Sequence, residues 1–297
     1  MKKNRFWVKG TQIEKECKMY IKCWGSRGSI PVSGKDYLKY GGDTTCIEIR
    51  TKDNQVIIVD AGTGIRTLGN WLIEDECYTY DMIFTHAHWD HLMGFPFFKP
   101  LYLEQTNLRM QGCPFAQKFV ETMLSSVMSP PNFPVRYEDV KANLRHEPAC
   151  TERFEIGSTS VIPIRLSHPN QGSGYKFVED GKTFVFLTDN ELDFTHPGGL
   201  PFEAYLEFSA GADLLIHDAE FTTQEYKITR KWGHTVYSTA VDLAIKAEVK
   251  ELGLFHLNQD RTDQEMDHMV DKCRQILNER DSDVKCFAVG ADMTFTL

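Results

Sequence analysis

Paired cysteines are missing from this sequence. Its eight cysteines stand at positions 17, 23, 46, 77, 113, 150, 273 and 286, and none forms a C-x-x-C pair. That excludes a zinc ribbon and a thioredoxin-like redox motif. A chain of 297 residues can also bury a large core without a disulfide framework. The cysteines are therefore read as reduced thiols of a cytoplasmic protein. No stretch approaches the roughly 18 apolar residues of a transmembrane helix. The basic start, MKKNRFWVKGTQIEKECK, lacks the apolar run of a signal peptide. No membrane partner is expected. Positive charge is also short, with 33 Lys and Arg against 42 Asp and Glu, a net charge of −9. A long nucleic-acid footprint needs a basic face, so extended nucleic acid is not the expected partner. A small anionic substrate stays compatible, because bound cations can reverse the local field.

Short strands punctuated by glycine fill much of the chain. Residues 19–24, 45–50, 55–60 and 81–85 read as strands, and so do 159–166, 174–179, 183–188 and 214–217. Asp180-Gly181 is the strongest hairpin signal. Residues 114–128 read as a helix: Phe115, Phe119, Met123 and Val127 recur every four residues, and Pro114 suits the first helical position. Two more helices close the chain, one over about 236–247 and one after Thr262, where Thr262-x-x-Glu265 makes a capping box. Strands and helices thus alternate in two batches with no linker between them. The expectation is one domain of two sheets packed face to face and covered by helices. It begins at residue 19, after an N-terminal extension of residues 1–18. An insertion over about 101–154 is the expected substrate lid or homodimer contact.

Histidine is scarce, with ten in the chain, yet "FTHAHWDHLMGFPFF" (84–98) holds three of them and an aspartate within six residues. The apolar strand before it fixes the backbone. His86 and His88, two apart on an extended turn, can aim at one point. Asp90 and His91 come where the chain can turn toward a second point. Imidazoles and carboxylates in such a pattern suit two metal ions held side by side. Further ligands stand at strand ends elsewhere: His168 after VIPIRLS, Asp189 closing FVFLTD, and His256 after Leu252–Phe255. A carboxylate such as Asp189 can bridge two ions.

These residues resemble the motifs of the metallo-β-lactamase-fold hydrolases. Asp60 in VDAGTG looks like the first motif and His86-x-His88-x-Asp90-His91 the second. His168, Asp189 and His256 look like the third, fourth and fifth. The resemblance covers residues 19–297 and implies a four-layer αββα sandwich with the site at one edge of the two sheets. It also implies that His86, His88 and His168 hold one metal, that Asp90, His91 and His256 hold the other, and that Asp189 bridges. Asp60 then orients a ligand from behind, and His217 is read as a supporting residue of the same kind. Two divalent ions are expected. Zinc comes first, with manganese or iron(II) compatible with the same donors.

Within the fold, Asp189 stands where the familiar two-zinc β-lactamases carry cysteine, and His88 where the iron oxidoreductases carry glutamate. Gly233-His234-Thr235, preceded by His217-Asp218-Ala219-Glu220-Phe221, resembles a segment of the tRNA 3′-processing endonucleases and their phosphodiesterase relatives. That resemblance implies His234 as proton donor to the leaving oxygen, with Asp218 and Glu220 as its supports. Two ions about 3.5–4 Å apart can supply a bridging hydroxide and clamp phosphoryl oxygens, and Asp90 is read as helping to orient that hydroxide. The expected activity is hydrolysis of a small or cyclic nucleotide-type phosphodiester. The alternatives are a thiolester or lactone hydrolase of the same fold, an RNA-processing endonuclease, and a non-catalytic module. Arg27, in the glycine-rich GSRGS loop, and Arg261 are candidate contacts for a substrate anion. Phe95, Phe97, Phe98 and Tyr102 are either core or a pocket wall.

Overall fold

The computed structural model describes residues 7–8, 11–12, 18–111, 120–148 and 152–297. Two seven-stranded mixed sheets form its frame. The first runs, in spatial order, Thr294–Thr296, Tyr20–Gly25, Cys46–Arg50, Val56–Val59, Thr79–Ile83, Asn107–Gln111 and Asn143–Glu147. The second runs Lys285–Ala288, Glu251–Phe255, Leu214–Asp218, Lys182–Leu187, Ser173–Glu179, Thr159–Arg165 and Phe154–Ile156. In each sheet the strands on one side pair in parallel, and those on the other pair as antiparallel neighbours.

The alternation of side chains along each strand explains why the sheets stack. Ile57 and Val59 join Phe184, Phe186, Leu214 and Ile216 in a core between the sheets. Their neighbours Val56 and Ile58 face the opposite way, into a second core with Ile65, Leu68 and Leu72 of the helix Ile65–Glu74. Val185 and Leu215 do the same on the other sheet, meeting the helices Tyr237–Lys246 and Asp263–Glu279. Strands buried on both faces read as continuous apolar runs, as VIIV does. Three apolar layers between four layers of secondary structure give the expected αββα sandwich. The capping box at Thr262 forms as read, its hydroxyl accepting from the Glu265 amide.

Some expectations change. Residues 107–111 and 143–147, within the stretch read as an insertion, are strands that extend the first sheet. Those two parts of the stretch are therefore woven into the sandwich. The start of the helix expected at 114 lies outside the described residues, and Val120–Val127 is helical. In the N-terminal extension, Trp7–Val8 pairs with Thr11–Gln12. Among the described residues no helix is long and apolar enough to cross a membrane.

Candidate active site and metal centre

The C-terminal ends of parallel strands from both sheets meet at one edge of the sandwich, the side on which open α/β sheets place their ligands. Asp60 follows Val56–Val59, and the histidine cluster follows Thr79–Ile83. Asp189 follows Lys182–Leu187, Asp218 ends its strand, and His256 follows Glu251–Phe255. Asp60, Asp189 and His256 all adopt left-handed backbone, with φ of 62°, 55° and 55°. Such conformations are costly outside glycine and gather at functional sites. Here they turn side chains off the strand ends toward one point.

Two sets of donors result. Ligand atoms of His86, His88, His168 and Asp189 lie within 4.8 Å of one another, and so do those of Asp90, His91, Asp189 and His256. Asp189 belongs to both. Its Oδ1 is 3.6 Å from His86 Nε2 and 3.7 Å from His168 Nε2, while its Oδ2 is 3.2 Å from His91 Nε2. Asp90 Oδ2 lies 3.4 Å from His91 Nε2 and 3.1 Å from His256 Nε2.

Each of four imidazoles is held by its other nitrogen. Asp60 Oδ2 accepts from His91 Nδ1 at 2.8 Å, and Asp60 is itself fixed by the Thr85 amide and hydroxyl, both at 2.7 Å. The Gly233 carbonyl accepts from His168 Nδ1 at 2.9 Å. Glu220 Oε2 accepts from His256 Nδ1 at 2.9 Å. Thr85 Oγ1 lies 3.1 Å from His86 Nδ1. Such partners fix the tautomer and leave Nε2 free as a ligand.

The donor set fits divalent cations on two observations. Among the described residues, the Nε2 atoms of His86 and His91 are buried with no hydrogen-bond partner, a costly arrangement in a dry site. The cluster also draws positive charge. Burial disfavours the charged form of His91 and His256, yet the Asp90 and Asp189 carboxylates beside them hold both well above the usual histidine range. Burial likewise opposes ionisation of Asp90 and Asp189, but the neighbouring imidazoles keep both well below the usual carboxylate range. Cations bound here would displace those protons. His86 and His168 are pushed down by burial, His168 to about 3, so they are neutral and ready to donate a lone pair.

A family model for the beta-lactamase superfamily domain matches residues 55–257, the stretch that carries all of these donors. The chain belongs to the beta-lactamase superfamily. A ribonuclease Z of Exiguobacterium sibiricum is 26% identical to this superfamily member over 66% of the chain and 76% of its own length. Among solved structures, the metallo-beta-lactamase fold protein YhfI from Bacillus subtilis matches with a TM-score of 0.69 at 15% identity, covering 94% of this chain and 99% of its own. A diphosphatase from the PhnP family matches with a TM-score of 0.66 at 15% identity, over 94% and 98% of the two chains. The protein is a hydrolase of the metallo-β-lactamase fold, and its histidine–aspartate cluster is suited to divalent metal ions.

Next to the metal centre, His234 Nδ1 donates to Asp218 Oδ2 at 2.6 Å, and Glu220 Oε2 is 3.4 Å away. Burial acts against a charged His234, but the Glu220 and Asp218 carboxylates outweigh it and raise its pKa to about 9. His217 lies behind this layer. Its Nε2 is 3.2 Å from the Asn190 amide nitrogen and its Nδ1 is 2.6 Å from the Asp218 carbonyl. It therefore braces the turn after Asp189. Ser238 and Thr239 fall at the start of the helix Tyr237–Lys246, where Thr239 bonds Asp193. Thr235 meets the site: its hydroxyl donates to the Asn190 carbonyl and accepts from the Leu192 amide, and its backbone amide donates to Asp218.

Both arginines expected to meet a substrate anion are engaged within the protein itself. Arg27 is fully buried, and its guanidinium donates to the Gly41, Asn258 and Arg261 carbonyls at 2.9, 3.2 and 2.9 Å. A side chain committed to backbone oxygens has no face for substrate. Its loop contributes differently: the Ser29 amide donates to Asp90 Oδ2 at 2.8 Å. Arg261 spends its charge on Glu225 at 2.8 Å and on the Glu220 carbonyl at 2.9 Å. Phe95 and Phe98 are core, Tyr102 bonds the Pro96 carbonyl, and Phe97 is exposed against Phe133.

Sequence reasoning missed Glu191. It is buried, accepts from the Tyr226 hydroxyl and from the Lys231 and Gly233 amides at 2.8 Å each, and lies 2.7 Å from His196 Nε2. A single glutamate two residues after Asp189 carries no signal of its own. The loop it holds is distant in sequence.

Proposed function

We propose that this protein hydrolyses a phosphodiester of the small or cyclic nucleotide type, with two divalent ions, zinc in the first instance, and His234 as proton donor. The observation that carries this reading is the placement of His234: buttressed by Asp218 at 2.6 Å and stacked on the candidate ligand His256 with ring centroids 4.4 Å apart. A thiolester expels a thiolate without such a donor, whereas an alkoxide leaving from phosphorus needs one.

His86, His88 and His168 would hold one ion and Asp90, His91 and His256 the other, with Asp189 between them. Bound there, the ions would lower the pKa of water and neutralise phosphoryl oxygens. The chain's own groups do the rest. Asp60, Glu220 and the Gly233 carbonyl orient imidazoles. The imidazolium of His234 gives its proton to the departing oxygen, and Asp218 keeps the ring charged and aimed until that moment. Asp90, tied to the Ser29 amide, keeps one carboxylate oxygen fixed toward the centre.

The ribonuclease Z relative supports the same bond chemistry on RNA. A net charge of −9 favours a compact anion over a long RNA backbone. The test is an assay of the zinc-reconstituted protein on bis(p-nitrophenyl) phosphate, a cyclic-nucleotide panel, a precursor tRNA and a thiolester. Turnover of the small phosphodiesters is expected. Turnover of the thiolester alone would overturn the reading, and turnover of the tRNA alone would move the substrate to RNA.

A further inference from the structure

Residues 226–232, YKITRKW, run directly into Gly233 and His234. Tyr226–Thr229 makes one helical turn. The segment holds Lys227, Arg230 and Lys231, a local excess of positive charge on an acidic protein. It also displays two large apolar side chains to solvent, Ile228 at 83% exposure and Trp232 at 63%.

This segment is anchored. Glu191 fastens both of its ends, through the Tyr226 hydroxyl and through the amides of Lys231 and Gly233. Lys231 is held in left-handed backbone, φ 74°, a conformation uncommon outside glycine. Arg230 and Lys231 both lie over the Phe194 ring, 5.8 and 5.2 Å from its centre, so the two cations are gathered at one place. The segment also adjoins the reacting centre. The Gly233 carbonyl accepts from His168 Nδ1, and the Trp232 Cα is one peptide away, about 3.8 Å from that of Gly233. An anchored indole left in water, flanked by cations and one residue from a metal-binding element, matches the groups that grip nucleotides: aromatic faces for bases and cations for phosphates.

We propose that Trp232, with Arg230 and Lys231, forms the platform that receives the nucleoside of the substrate, the indole stacking the base and the two cations meeting additional phosphate oxygens. This rests on the phosphodiester reading and narrows the substrate class to nucleotides carrying an unpaired base.

The test compares two phosphodiesters with one leaving group: the p-nitrophenyl ester of thymidine 5′-phosphate, and methyl p-nitrophenyl phosphate. Trp232→Ala should raise KM for the thymidine ester roughly tenfold, with kcat and all turnover of the methyl ester changed by less than about twofold. Trp232→Phe should restore most of the loss, because stacking needs only an aromatic face. Equal losses on both esters, or no loss on the thymidine ester, would overturn the proposal. Calorimetric titration of the zinc-loaded protein with thymidine 5′-phosphate separates the platform from the chemistry. Wild type turning over neither ester, yet binding thymidine 5′-phosphate about tenfold more tightly than Trp232→Ala, would sink the phosphodiester reading and keep the platform. Turnover of both esters with unchanged thymidine 5′-phosphate affinity in Trp232→Ala would do the reverse.

Discussion

The imidazole of His234 lies stacked on that of His256, with ring centroids 4.4 Å apart and planes 18° apart. Each ring is held by a carboxylate: Asp218 accepts from His234 Nδ1 at 2.6 Å, and Glu220 accepts from His256 Nδ1 at 2.9 Å. The pair couples the metal centre to the candidate proton donor, and Glu220 Oε2, also 3.4 Å from His234 Nδ1, serves both rings.

Replacing His234 should therefore remove proton donation and spare the metal. His234→Ala is expected to lower kcat on an alkyl phosphodiester by about 10²–10⁴. Bis(p-nitrophenyl) phosphate, whose leaving group departs with little help, should lose far less. Metal content, read by mass spectrometry of the purified variant, should stay at the wild-type value. Asp218, His234 and His256 also bring ligand atoms within 4.8 Å of one another, so a fall in metal content would instead make His234 a ligand.

The pH profile follows from the sign of the His234 shift. Burial lowers its pKa, and Glu220 and Asp218 more than reverse this, raising it to about 9. The ring thus carries its proton below that value and loses it as pH rises. Cations in the cluster draw the value down from there, by repulsion. Activity on an alkyl phosphodiester should fall on the alkaline side, and Asp218→Asn, which removes one of the two supporting charges, should move that fall to lower pH. A fall that stays in place in Asp218→Asn would separate it from His234.

Gly28 tests the second half of the metal centre. A Cβ at this position would lie 2.2 Å from the His256 ring, closer than any real contact. Gly28→Ala should push His256 out of line and weaken one ion selectively. Metal content should fall by about half, while a Lys272→Ala control, at an exposed position of the helix Asp263–Glu279, keeps it. Loss of both ions together in Gly28→Ala would argue against two separable sites.

Much of the candidate ligand set was legible in the sequence because Asp60, Asp189 and His256 stand at strand ends, whereas Asp90 and His91 lie in the short helix Trp89–Leu92 that follows one. The strand fixes the backbone, and the residue after it can only face the sheet edge. Asp60, His86, Asp189 and His256 share that placement, and so do the left-handed turns at three of them. What decides the remaining residues is tertiary contact. Arg27 in a glycine-rich loop looked free to meet an anion, yet three carbonyls from distant segments claim its guanidinium. Glu191 has no local pattern, and its importance comes from a loop some forty residues away along the chain, which it fastens at both ends. Residues 107–111 and 143–147 were read as part of an insertion. Their polar, exposed alternation, as in NLRMQ, gives a strand at a sheet margin a weaker signal than VIIV does at its centre.

Zinc titration of the metal-free protein, followed by turnover of bis(p-nitrophenyl) phosphate, tests the two-ion phosphodiesterase account most directly. Turnover should be absent without metal and should rise until two equivalents per chain are bound. A plateau at one equivalent, or turnover by the metal-free protein, would contradict the account.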